Sequence, residues 1–352
     1  MPNFRARELT SDEGTNDVQL RHWHSSMWWQ VVIIFATVGL LAALSPSYGL
    51  ATSVMIYGIA AVGANLLLGY TGLLSFGQGI FFGVGAYASG LVMVHLDVQA
   101  PIALLVAAVT GMVTALLVGA VSIMRRGVYF VMLTFAFSAM FGYGVFLFKD
   151  ITGGENGLRG FPQITVGSFG TVWWSLKSDL DVFIFTAFAF VIVYLALVQV
   201  VRSPFGAILI AIRENESRAA AIGYNTFSFK LQSFGISGFV TGLAGGLYAI
   251  YLGSVPDSAL QLDLSTMILI MTILGGTGSL YGSVLGAAAV LIMSDYLSVV
   301  WDRWQMLLAL ALLAVVMFAR GGIWGGIEVV AEWSRRWFRH ARLAQGPRRW
   351  RG

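Results

Sequence analysis

Long apolar runs separated by short polar segments dominate the chain. Two of them, residues 31–69 and 98–124, contain no charged side chain. A helix needs roughly 20 apolar residues to cross the hydrocarbon core of a bilayer. The pattern therefore predicts an all-α polytopic membrane protein with about ten transmembrane helices, some of them interrupted by glycine. The predicted spans are 28–46, 49–69, 72–95, 101–124, 128–148, 181–201, 230–252, 264–276, 282–300 and 304–320.

Two of these spans differ from a regular membrane helix. Span 264–276 is short, and span 72–95 is rich in glycine. Glycine-interrupted segments expose backbone polar groups, which are tolerated only inside protein or along a cavity. We expect either span to be broken, and 72–95 to cross the membrane with a non-helical start.

Composition leaves little room for a soluble domain. Hydrophobic residues make up 57% of the 352, and the mean hydropathy is +0.79. We expect a polar N-terminal tail (1–27) that is not a cleaved signal, a membrane domain (28–320) and a basic C-terminal tail (321–352). The absence of cysteine excludes disulfides and thiolate metal sites.

The distribution of lysine and arginine predicts the orientation. With the N-terminus inside, seventeen of the 21 basic residues lie in cytoplasmic segments, and the others are Lys149, Arg159, Lys177 and Arg303. Both termini and loop 202–229 should be cytoplasmic, and 149–180 periplasmic. The basic stretch 335–352 fits this bias and anionic lipid headgroups better than nucleic acid.

No motif for enzyme chemistry is present. A phosphate-binding loop needs lysine after glycine, and none of the three lysines follows one. Three of the four histidines lie in the tails, so no metal centre, catalytic residue or cofactor site is expected.

The acidic residues argue against a self-sufficient ion-coupled carrier, which would need ionisable groups within the membrane. On this topology the acidic residues nearest the spans lie toward their outer ends: Asp97, Asp263, Asp295 and Asp302.

Glycines recur at four-residue spacing, as in Gly238, Gly242 and Gly246, which favours close helix packing in lipid. Two clusters differ, because "GYTGLLSFGQG" (69–79) and "GGTGSLYGS" (275–283) add polar residues to the glycines. The side chains that we expect along a translocation path are Ser75, Phe76, Gln78 and Thr277. Alternatively, the hydroxyl groups bond back to their own helices.

A charged segment, "IRENESRAAAIGYN" (212–225), interrupts the apolar pattern. Ser203 and Pro204 predict a helix start, and a second helix is expected from about Ile212. Glu214 precedes Arg218 by four residues, the favourable order for a surface pair.

The same helix should present one nearly bare face, formed by Ala219, Ala220 and Gly223. Gly223 is expected to end it, and Asn225 or Thr226 to cap the next helix. A bare face flanked by charges favours insertion into a cleft of a partner protein; the alternative is a solvated loop.

Four motifs resemble a known family. "GYTGLLSFGQGIFFGVGAYASG" (69–90), "ITGGENGLRGFP" (151–162), "AIRENESRAAAIGYNTFSFKLQSFGISGFVTGLAGGLYA" (211–249) and "LGGTGSLYGSVLGA" (274–287) are similar to permease subunits of bacterial ABC importers for branched-chain amino acids. The segment after "VYFVMLTFAF" (128–137) resembles the longer of the two permease types. The similarity covers most of residues 50–325.

The resemblance implies a non-enzymatic subunit of the bacterial inner membrane. It would work with a second permease chain, two ABC ATPase subunits that hydrolyse ATP, and a periplasmic binding protein, which Glu155 and Asn156 would contact. It also implies that 212–225 is a coupling helix seated on the ATPase. The residues expected at this contact are Arg213, Glu214, Asn215, Glu216, Arg218, Ala219, Ala220 and Gly223. Related permeases carry urea or short amides, so these remain alternative solutes to a branched-chain amino acid; a secondary transporter is the other alternative.

Overall fold

The computed structural model describes residues 47–162, 164–168 and 171–300, together with residues 34, 37, 39, 306, 307, 309, 310, 313 and 322–325. Apart from these few positions, predicted spans 28–46 and 304–320 and both tails lie outside the described residues. The described chain is mostly helical.

Eleven helices are labelled here in chain order: α1 (Tyr48–Asn65), α2 (Gln78–Leu96), α3 (Ala100–Ser122), α4 (Val128–Leu147), α5 (Lys149–Thr152), α6 (Asp179–Arg202), α7 (Pro204–Glu214), α8 (Glu216–Ala221), α9 (Thr226–Leu252), α10 (Leu262–Gly275) and α11 (Leu280–Val300). α1 continues as a π-helical turn over Leu66–Thr71, and single 3₁₀ turns lie at Gly154–Asn156 and Asp257–Leu260.

Seven of the described helices are long and apolar enough to cross a membrane: α1 with its π-helical turn, α2, α3, α4, α6, α9 and α11. They correspond to seven of the predicted spans. The eighth predicted span in this region, 264–276, is the 14-residue helix α10. It is short, as expected, and the total of ten spans stays a prediction.

A small β-hairpin departs from the predicted all-α architecture. Strands β1 (Thr165–Ser168) and β2 (Thr171–Ser175) pair antiparallel between α5 and α6. The same segment is tied to the loop after α9 by two backbone hydrogen bonds of 2.9 Å between Leu158 and Val255. The segment predicted to be periplasmic is therefore folded against the helical domain.

Small residues bring α3 and α9 close together, as their spacing predicted. Gly111, the central residue of the 23-residue α3, lies against Gly238 and Gly242. A Cβ on Gly111 would stand 2.8 Å from the Cα of Gly242. In lipid, the hydrophobic effect does not drive helices together, so the dispersion contacts made at such close approach stabilise their packing instead. The pairing also identifies residues 238–242 as the central level of α9.

The predicted non-helical start of span 72–95 is present. After the π-helical turn, Gly72 adopts φ +76°, and regular helix resumes only at Gln78. Gln78 hydrogen-bonds Ser237 and Thr241 on α9. Because this is the central level of α9, α2 begins in the middle of the helical domain rather than at its surface.

α10 begins beside the start of α2, which corrects one expectation. The backbone N–H of Gly79 donates to the hydroxyl of Ser265 at 2.9 Å. Asp263 lies two residues earlier, about 3 Å along the helix axis. Asp263 is therefore near the central level and not toward the outer end as predicted. The reason is that residues 253–261 fold back into the helical domain, where Ala259 and Leu260 contact Gly83.

Candidate functional site

The loop between α6 and α9 forms two short helices, as predicted, but the boundary between them differs. α7 begins at Pro204, as predicted, and runs to Glu214. Asn215 is extended (φ −157°, ψ 97°), and its side-chain oxygen accepts a hydrogen bond from the backbone N of Arg218 at 2.9 Å. Asn215 therefore ends one helix and caps the next. The second helix therefore begins at Glu216 and not at about Ile212, as we expected.

The break also separates two charges that were predicted to pair. Glu214 ends α7, whereas Arg218 lies in α8, so the helical four-residue relation is lost. Within the part of the chain that the structure describes, neither joins an ion pair, and both are exposed. Gly223 (φ +102°) turns the chain after α8, and Asn225 caps α9 by accepting from Ser228 N at 3.2 Å.

Glu216 faces the membrane domain and holds α8 in place. Its carboxylate lies 2.7 Å from the ammonium of Lys230 on α9 and 3.6 Å from the guanidinium of Arg126, which follows α3. The hydroxyl of Thr226 donates to the same carboxylate at 3.3 Å. Partial burial alone would raise the pKa of Glu216, but Lys230, Arg126 and Thr226 lower it, and the net shift is downward.

The orientation of α8 turns two of the residues expected at the ATPase contact toward the membrane domain. Ala219 is buried, and Glu216, whose carboxylate contacts Lys230, is partly buried. Ala220 and Gly223 are exposed, as is Ala221, which sequence reasoning did not single out. The surface that we propose below as a docking site, and call the docking surface, consists of the exposed residues Ser217, Arg218, Ala220, Ala221 and Gly223.

Arg213 connects this loop to the glycine clusters. Its guanidinium donates to the carbonyl of Gly69, in the π-helical turn that ends α1. Its side chain also runs beside Gly72, where a Cβ would stand 3.0 Å from Arg213 Cγ, and beside Gly278. The end of α7 is therefore tied to both non-helical segments of the membrane domain.

The two glycine clusters meet around Asn65, which sequence reasoning missed. The buried Asn65 side chain donates to the carbonyl of Ser279 and to the hydroxyl of Ser283, both at 2.8 Å, and accepts from Gly278 N at 3.0 Å. One amide thus satisfies backbone groups of the turn between α10 and α11. A lone Asn within an apolar span was the available signal, because such a side chain needs partners in lipid.

The four residues expected along the path divide into two pairs. Ser75 and Gln78 are buried with partners in this chain: Ser75 accepts from Gly77 N at 3.1 Å, and Gln78 bridges two hydroxyl groups of α9. Phe76 is half-buried, and Thr277 is exposed. Only the second pair reaches the surface of this chain.

Phe76 lies beside α4, which is largely uncovered. Its ring packs edge-on against exposed Phe135 at a centroid distance of 5.8 Å, and its backbone N donates to Thr134 at 3.2 Å. Glu155 and Asn156 are exposed in the 3₁₀ turn that follows α5. Phe76 and Thr277, and likewise Glu155 and Asn156, are therefore available for contact with other molecules.

The fold and the charged loop can now be compared with known proteins. Residues 47–317 match the family described as "branched-chain amino acid transport system / permease component". The chain belongs to this family. Its members are permease components of transport systems rather than enzymes, in agreement with the resemblance noted from the motifs.

Individual relatives extend over most of the chain. The high-affinity branched-chain amino acid transport system permease protein LivM of Escherichia coli (strain K12) is 31% identical over 77% of this chain and 68% of its own length. LivM of Salmonella typhimurium is 30% identical over 78% and 68%. The autoinducer 2 import system permease protein LsrD of Enterobacter sp. (strain 638) is 27% identical over 81% and 86%. No solved structure is a significant match.

Proposed function

We propose that this permease forms half of the translocation path of an ATP-driven importer for a branched-chain amino acid or a similar small polar solute. A second permease chain, two ABC ATPase subunits and a periplasmic binding protein would complete the importer in the bacterial inner membrane. The amino-acid assignment rests on the two LivM relatives, which are named for that transport and cover more than three quarters of this chain.

The structure of the loop 203–225 is the observation that supports an ATP-driven importer. Glu216 and Arg213 fasten it to the membrane domain, so that the docking surface stands out from a fixed base. A rigid, partly bare helical surface loses little conformational entropy when a partner covers it. With cytoplasmic termini, as the positive-inside rule favours, the docking surface faces the compartment that contains ATP.

Neither a solvated loop nor a secondary carrier would need contacts that fix the loop to the membrane domain. Arg213 reaches Gly69 at the end of α1 and lies beside Gly278 in the turn between α10 and α11. A movement of the docked loop would therefore act on both non-helical segments at once. This supports coupling between an ATPase and the path, on whose wall we place Phe76 and Thr277.

Ala220→Trp should weaken binding of the ATPase while the membrane domain stays folded. Overfilling a fitted contact costs about 1–3 kcal/mol, which corresponds to roughly a five- to 150-fold loss of affinity. Glu214→Lys should have a smaller effect, since exposed charge pairs contribute only about 0–1 kcal/mol. Ala220 is preferred over Gly223 because any side chain would strain the positive φ of Gly223.

The measurement is the amount of ATPase that co-purifies with each tagged variant from native membranes. Leu105→Trp, an exposed position on α3, serves as the matched control for a new surface tryptophan. Retention of the ATPase by Ala220→Trp, with uptake at the unmutated rate, would show that this surface has another role.

A further inference from the structure

Asp263 is an acidic side chain that is exposed at the central level of the helical domain. Its level follows from Ser265, which bonds Gly79, and from Gln78, which bonds the middle of α9. Asp263 itself is exposed on α10. Within the described ranges, no hydrogen bond or ion pair reaches it; the neighbouring Gln261 donates to Asp257 instead.

Lipid is an unsuitable neighbour for this side chain. An acidic residue at the centre of a bilayer costs about 2.5–3.5 kcal/mol by the lowest scale. Its position in the first turn of α10 is favourable for a negative charge, but contributes only about 0.3–1 kcal/mol at an exposed site. The cost exceeds this gain, so the side chain should face either water in a path or a positively charged group.

The surroundings of Asp263 indicate which kind of group. Thr266, Met267 and Ile270 share the partly exposed face of α10, and they offer one hydroxyl and apolar surface. Ser265 on the same helix lies 3.3 Å from Ser138 of α4, the helix that also contacts Phe76. Because Asp263 and Ser265 are two residues apart in α10, their side chains point in roughly opposite directions. Asp263 therefore lies on the exposed face of α10, away from α4.

We propose that the Asp263 carboxylate binds the ammonium group of the transported amino acid halfway across the membrane. The proposal rests on the proposed function and deepens it, because it names the part of the solute that the permease recognises. A carboxylate beside a hydroxyl and apolar side chains suits a small solute with one ammonium and an aliphatic remainder. It gives no advantage to uncharged urea or acetamide.

The test uses the intact importer with its binding protein and ATPases, reconstituted in proteoliposomes, and measures ATP-dependent uptake of L-leucine. Asp263→Asn should lower the maximal rate by about tenfold, the loss expected when a charged acceptor becomes neutral. Asp263→Glu should retain most of the rate. Asp295→Asn, which neutralises an exposed carboxylate near the far end of α11, should transport as the unmutated protein does.

Three outcomes would overturn the proposal. Uptake by Asp263→Asn within twofold of the unmutated rate would remove the role in binding. Loss of the second permease chain from the Asp263→Asn complex would show that the carboxylate pairs with a cation of that chain. If the unmutated importer carries urea or acetamide but no amino acid, the amino-acid part of the proposed function fails, and the role of Asp263 fails with it.

The first comparison in a second measurement is made with Asp263 in place and does not depend on the stability of an Asp263 variant. Thr266→Cys places the sole cysteine of the chain one turn from Asp263. In the assembled importer, a quaternary-ammonium methanethiosulfonate should modify it faster than a sulfonate analogue, and Asp263→Asn should abolish the preference. Equal rates with Asp263 in place, or no modification by either reagent, would contradict a carboxylate facing an aqueous path.

Discussion

Gly245→Ala should destabilise the membrane domain although it adds one methyl group. A Cβ on Gly245 would overlap the carbonyl oxygen of Phe82 and stand 3.0 Å from the backbone N of Ala86. Both obstacles are backbone atoms, so α2 and α9 would have to separate. Overpacking of this kind costs about 1–3 kcal/mol, and Gly245→Leu should prevent recovery of monodisperse protein.

The matched control is Gly144→Ala on α4, where a Cβ would meet no atom within 4 Å. This variant should be neutral or slightly stabilising, because alanine is the better helix former. Thermal unfolding in detergent compares the two. Equal stability of Gly245→Ala and Gly144→Ala would mean that α2 and α9 do not pack as closely as described.

Glu216→Gln should loosen the loop 203–225, with a cost of about 3 kcal/mol, the lower end for breaking a buried ion pair. It leaves the ammonium of Lys230 without its carboxylate, and the Lys230 side chain is only 8% exposed. Hydrogen exchange of residues 216–226 measures the loosening. Glu214→Gln is the control, since Glu214 is exposed and should change stability by less than about 0.5 kcal/mol.

The double variant Glu216→Gln/Lys230→Met should recover much of the loss, because no unpaired buried charge remains. The contribution of the Glu216 carboxylate to folding stability should depend on pH, and the direction of that dependence follows from its pKa. The pKa of folded Glu216 lies below its ordinary value of 4.5, so its stabilisation is complete above that pH and is lost as the pH falls through the folded value. Destabilisation of the double variant beyond Glu216→Gln alone would contradict this account of the pair.

The membrane helices followed from the apolar runs because lipid leaves a spanning segment few alternatives to a helix. The break before Gln78 was also predictable, since glycines beside polar residues do not continue an apolar helix. The loop was expected to contain two helices, but the division between them was placed near Ile212 and not at Asn215, although an Asn that precedes a short alanine-rich stretch is a typical N-cap. The sequence pattern alone did not decide whether Asn215 caps a new helix or continues the preceding one.

Distances along the chain could not reveal the depth of Asp263. Counting from α9 placed it near the outer surface, but the return of residues 253–261 into the domain depends on Ala259 and Leu260 packing on Gly83. The inward orientation of Glu216 likewise depends on Lys230, a residue of the next helix. Contacts between elements settle both features, and the local pattern does not contain them.

A single cysteine at Ala220 offers the most direct test that this permease is driven by an ATPase docked on the loop 203–225. The variant Ala220→Cys would carry a thiol-attached photocrosslinker and be irradiated in native membranes, with Ser178→Cys, before α6, as the control. The account predicts an adduct between position 220 and an ATP-binding subunit, and none from position 178. Modification of position 220 by a membrane-impermeant reagent added from the periplasm, with no ATPase adduct, would contradict it.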